Sequence, residues 1–150
     1  MEQEVQAGLR ASRAMLGIVA RSVAPALEQI SLPHFRVLVL LEALGPLRVG
    51  ALAERLGVVI STFSRSLDRL EAGGWVRRVQ GETDRREVTV SITDLGGALV
   101  QQVTRQRMQA LVAALSAVPP EDRAALTRAF TAFADAVGEP ELTDVLVLGI

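Results

Sequence analysis

The hydrophobic period of this chain leaves the helical repeat in one place, and that interruption dictates most of what it can fold into. Up to Ala72 the apolar residues recur at helical spacing; after Gly73-Gly74 they alternate. Trp75-Val76-Arg77-Arg78-Val79 and Glu87-Val88-Thr89-Val90-Ser91-Ile92 read as two strands around a polar turn, Gln80 to Arg86. Helical spacing returns after Thr93-Asp94. One hairpin thus lies between helical segments, with two arginines at its tip.

Residues 3–28 carry Val5, Leu9, Leu16, Val19 and Val23 on one helical stripe, and Pro25 kinks or stops that helix near its end. Ser31-Leu32-Pro33 is a cap followed by an early proline, opening a second helix that runs to about Leu44. Its segment from Phe35 is apolar almost all round and belongs at the centre. Gly45-Pro46 ends it. Val49 to Leu56 makes a short third helix, and Gly57 supplies a turn that takes positive φ. Ile60 to Ala72 makes a fourth, with Phe63, Leu67 and Leu70 on one face. Beyond the hairpin, Thr93 caps a helix from Leu95 to about Val118 despite Gly96 and Gly97, and Pro119-Pro120 opens another to Val137. Gly138-Glu139-Pro140 breaks it before an apolar tail, Val145 to Ile150. Helix–turn–helix followed by a hairpin is the winged-helix arrangement. The fold expected is therefore mainly α with a small β-hairpin wing, in a single domain of 150 residues.

Several function classes are disfavoured by composition. Cysteine is absent and His34 is the sole histidine, which removes thiolate metal sites, disulfides and any His cluster. There is no glycine-rich phosphate loop and no base for Ser61 or Ser64, so no enzyme, metal or cofactor is expected. Glu2 and Glu4 stand where a signal peptide carries positive charge, and no apolar run reaches ~18 residues; the expectation is a cytoplasmic protein with no membrane contact. Net charge is -1, yet residues 48–86 hold eight arginines against five acids, while residues 87–150 hold four against eight. All 16 basic residues are arginine, so every cationic contact is a planar fork suited to phosphate and guanine edges.

The fourth helix lies in that cationic third. With Phe63, Leu67 and Leu70 turned inward, Thr62, Arg65 and Arg69 lie on the opposite face, and Ser61 and Ser64 join them near the amino end. Hydroxyls beside an arginine suit base edges in a major groove. Arg65 is the first choice for a base contact; Arg69 either touches phosphate or pairs with an acid. Farther along, Arg105 and Arg107 are expected on the solvated side of the long helix.

Three pieces of sequence carry a family resemblance: Leu52-Ala53-Glu54-Arg55-Leu56-Gly57-Val58; Ser61-Thr62-Phe63-Ser64-Arg65 with Leu67-Asp68-Arg69-Leu70-Glu71; and Asp84-x-Arg86-x-x-x-Val90-x-Ile92-Thr93. In this order and spacing they resemble the MarR family of transcriptional regulators. The resemblance implies a winged helix-turn-helix over about 33–93, with dimerisation helices over about 1–30 and 95–150. It implies a homodimeric repressor on a palindromic double-stranded DNA operator. Arg86 is expected in the minor groove, with Arg85 beside it on sugar or phosphate and Asp84 holding Arg86 by a salt bridge.

It also implies release by a small lipophilic or phenolic effector, in a pocket lined by Met15, Val19, His34, Phe35, Val39 and Trp75. Met15 and Phe35 read more readily as core, and His34 as a helix-start residue with satisfied hydrogen bonds. The absent cysteine removes the thiol-oxidation switch of one branch of the family, and the single histidine argues against its zinc-sensing branch. One departure stands out: Val59-Ile60 occupies the place of a Ser-Pro-like helix start. Ser61 then either caps the helix a turn late or faces DNA. The rival reading is a winged-helix protein-interaction module that binds no DNA.

Overall fold

An apolar helix at the centre organises the domain. The computed structural model describes residues 1–81 and 87–137. Helix α2 (Leu32–Leu44) buries Phe35 and all of Val37 to Leu41, as its uniform hydrophobicity requires. Ser31 caps it, accepting from the His34 N–H at 3.5 Å, and a proline sits in its first turn. Helix α1 (Glu2–Leu27) carries Pro25 in its last turn and lies along α5 (Asp94–Ser116). Their buried residues, Ile18, Val23 and Ala26 on one and Leu99, Val100 and Val103 on the other, close the core over α2.

Two short helices make the helix-turn-helix. Helix α3 (Val49–Leu56) buries Leu52 and Ala53, and α4 (Ile60–Ala72) buries Phe63, Leu67 and Leu70. Gly57 joins them in the left-handed region, at φ 65° and ψ 32°. Any residue with a Cβ is strained there, although the space around Gly57 is open.

The wing is a three-stranded antiparallel sheet in the order β1-β3-β2: β1 (Leu47–Arg48), β2 (Val76–Gln80) and β3 (Val88–Ile92). Val76 pairs with Ile92 and Gln80 with Val88, and Leu47 lies opposite Val90. The expected hairpin is there, but β1 was not foreseen. Two residues show no alternation, and their strand character comes only from pairing with β3, far along the chain. The wing-tip residues Asp84, Arg85 and Arg86 lie outside the described residues, as does the apolar tail.

Thr93 fastens the wing to α5. Its hydroxyl accepts from the Gly96 N–H at 3.2 Å and donates to the Gly74 carbonyl at 2.6 Å. Gly96 is required by close approach, since a Cβ there would stand 2.5 Å from the Trp75 carbonyl oxygen. After α5 the Arg123 guanidinium donates to the Val118 and Ser116 carbonyls, each at 3.0 Å, and ties down the turn into α6 (Pro120–Val137). Helix α6 buries no residue within its own chain. No described helix is long and apolar enough to cross a membrane.

One expectation is corrected. Arg105 is exposed, but Arg107 is half-buried and its Nε donates to the buried Ser22 hydroxyl at 3.2 Å. Burial pulls its guanidinium below the usual arginine value. It follows Val100 and Val103 at i+7 and i+4, so the stripe that packs on α1 carries it inward.

Gly57→Ala is expected to destabilise the fold by about 1 kcal/mol, the penalty of a left-handed alanine, and Gly57→Asn by less. Chemical denaturation of the three proteins checks the order.

Candidate nucleic-acid interface

Helix α4 is held in one rotation by its buried stripe, and the side chains left outside follow from that. Ser61, Thr62, Ser64, Arg65 and Arg69 are all exposed. No side chain caps the helix: Val59 is its N-cap, and only the Val59 carbonyl engages Thr62 and Phe63. Ser61 therefore does not act as a late N-cap. Among the described residues neither Arg65 nor Arg69 forms an ion pair.

Acids on and beside this helix are taken by arginines of the wing. Arg78 on β2 meets Asp68 Oδ1 at 2.7 Å and Glu71 Oε2 at 3.6 Å, and donates to the Ser64 carbonyl at 3.1 Å. Its backbone N–H donates to Glu71 Oε1 at 3.0 Å. Arg48 on β1 pairs with Glu87 at 2.8 Å, and Arg77 donates to the Ser91 hydroxyl across the hairpin at 3.0 Å. A signal for Arg78 was present: it shares a strand face with buried Val76, and Asp68 and Glu71 stand at i and i+3 on the preceding helix.

The opposite flank of α4 is tied through histidine. His34 Nε2 lies 3.0 Å from Ser66 Oγ, linking the start of α2 to the middle of α4. Partial burial, with the Arg69 charge nearby, holds its pKa below the ordinary histidine value. The other residues expected around an effector lie on three segments. Met15 and Val19 are half-buried on α1, Phe35 and Val39 are in the core on α2, and Trp75 packs against that core before β2. None of the six lines the small cavity of about 100 Å³ behind α4, which Arg36, Leu56, Val58, Thr62 and Ser66 help to wall. Among the described residues no group of His, Asp or Glu is placed to hold a metal ion.

A tight helix-turn-helix backed by a three-stranded wing, with an exposed Ser/Thr/Arg face on its second helix, defines a winged helix-turn-helix protein. Comparisons with known proteins agree. The family model described as "MarR family" matches residues 30–88. The chain is 34% identical over 97 residues to the uncharacterised HTH-type transcriptional regulator YfiV of Bacillus subtilis, covering 65% of this chain and 61% of that protein. It is 45% identical over 49 residues to the HTH-type transcriptional regulator PecS of Dickeya dadantii, covering 33% and 30%. The match thus spans less than two-thirds of the length of either curated relative. The crystal structure of RV1404 from Mycobacterium tuberculosis is similar throughout, at 37% identity and a TM-score of 0.84, covering 93% of this chain and 95% of that one. The chain belongs to the MarR family.

His34 has the simplest pH signature. Its folded-state pKa is depressed, so as pH falls below the ordinary histidine value the unfolded chain takes up the proton first and stability drops. His34→Gln keeps a hydrogen-bonding group toward Ser66 but does not titrate. Between about pH 7.5 and about pH 5.5 the wild type should lose more unfolding free energy than this variant. Equal losses in denaturant titrations at the two pH values would contradict this assignment.

Proposed function

We propose that this chain is a DNA-binding transcriptional regulator rather than an enzyme, working in the cytoplasm as a homodimeric repressor on a palindromic double-stranded operator. The observation that carries the reading is the recognition face of α4. Five hydroxyl and guanidinium side chains stand exposed there, and the neighbouring acids Asp68 and Glu71 are engaged by Arg78. In this reading Arg65 takes a base edge, Ser61, Thr62 and Ser64 line the groove, and Arg69 takes phosphate. Arg86 enters the minor groove with Arg85 on the backbone, and Asp84 supports Arg86; these three roles rest on the family resemblance.

The whole chain acts as one domain, with about 33–93 for recognition and about 1–30 and 95–150 for pairing. Helix α6, with nothing buried, supports the pairing role, as do exposed Met108, Val112, Phe130 and Phe133. A two-fold dimer sets two recognition helices roughly 34 Å apart, one turn of the duplex. The effector is a small lipophilic or phenolic compound entering between the pairing helices and the winged unit, where half-buried Met15, Val19 and Trp75 have side-chain surface to offer.

Two measurements test this. Arg86→Ala should weaken binding to the operator and make log K against log salt shallower by about one, while Arg65→Ala should relax sequence preference as well. Unchanged affinity for every duplex would favour a protein-interaction module. Phe133→Asp should shift the chain from dimer toward monomer in sedimentation, because it sets a charge into the apolar face of α6.

A further inference from the structure

The amino end of α4 carries an apolar surface that neither the core nor the recognition face accounts for. Val59 is 71% exposed and Ile60 57%, adjacent large β-branched residues at the start of the helix. Solvated helix starts favour Ser, Thr, Asp or Asn, whose oxygen caps a free N–H; Val59 forgoes that bond. Val58 is less exposed, at 43%, and lines the small cavity behind the helix. The tip of Ile60 borders the amino end of α3. Its Cδ1 lies 4.0 Å from the place a Cβ would occupy at Gly50, an exposed residue with no side chain to cover it.

We infer that Ile60, with Val59 beside it, reads the C5-methyl groups of thymines in the major groove. The inference rests on the DNA-binding reading above and adds a specificity contact to it. The amino-terminal residues of a recognition helix are the ones that reach base edges. Thymine is the base whose major-groove edge is apolar, and it is recognised by contact with apolar side chains. Ser61 and Arg65 follow on the same helix, so the patch borders a hydroxyl-bearing, cationic surface and faces the same occupant. A second copy of the chain is the less fitting cover, because the extensive unpaired apolar surface is on α1, α5 and α6. Local stability is given up at the helix start where a specificity contact is gained.

The test uses the full chain and duplexes enriched from a random library by its own binding. The best duplex is resynthesised with deoxyuridine for thymidine at one position at a time, which deletes a methyl group and leaves every hydrogen-bonding group in place. Wild type should lose affinity roughly four-fold at one or two symmetry-related positions, the effect of one buried methyl group. Ile60→Ala should still bind the duplex, more weakly, and show no loss at those positions. A flat uracil scan for wild type, or the same loss in the variant, overturns the inference while leaving the DNA-binding reading intact. A change of oligomeric state in Ile60→Ala would show the patch to be a protein contact and overturn it too. Failure to enrich any duplex would instead remove the DNA-binding reading and this inference with it.

Discussion

Burial of Phe63, Leu67 and Leu70 beneath α4 is the interaction on which the rest of the molecule depends. All three are almost inaccessible to water, and exposing any one would cost about 1.5–3 kcal/mol. A helix turns about 100° per residue, so fixing three positions inward fixes the direction of every other position. Ser61 and Arg65 face solvent because Leu67 and Leu70 cannot. The aim of the recognition face is thus a property of the core, in which α4 packs against α3 and β2.

Polar ties on both flanks of α4 add direction more than energy. On the wing side Arg78 reaches one carbonyl and two carboxylates; on the other, His34 meets Ser66. Asp68 is well exposed, and pairs of that kind contribute only about 0–1 kcal/mol. Their geometry is still consequential. Arg78 belongs to the wing and Asp68 to α4, so the contact ties these two elements to each other. Thr93 plays the matching part at the other end of the wing, where its hydroxyl holds the Gly74 carbonyl and the first turn of α5 together.

Most helices were legible because their signals are local. Val49–Leu56 and Ile60–Ala72 have the limits that the residues themselves announce, through Gly57 and Gly73. Features set by distant partners were not legible. β1 exists only through β3, and the hydrogen bond of Arg107 joins it to Ser22, 85 positions away. At the site, exposure of the Ser/Thr/Arg face followed from the helical period. Arg78 did not, because its acids sit on another element and strand alternation is a weak signal over five residues. An effector lining is a different case: placing side chains around a pocket needs helix-to-helix geometry, which spacing along one chain does not encode.

A chain of net charge -1 must make a cationic face by arrangement rather than excess. Asp68 and Glu71 lie on the recognition helix itself and would oppose any polyanion. Arg78 meets both and leaves Arg65 and Arg69 without acidic partners among the described residues. Lysine is absent, and the substitution of one cation for the other would not be equivalent here. A planar guanidinium presents several N–H groups in fixed directions, which lets one side chain donate to the Ser64 carbonyl while facing Asp68 and Glu71. An ammonium offers its three donors from a single nitrogen, without the planar fork that spreads Arg78 over these partners. The wing arginine therefore does two things at once: it quiets the acids of the recognition helix and fastens that helix to the wing.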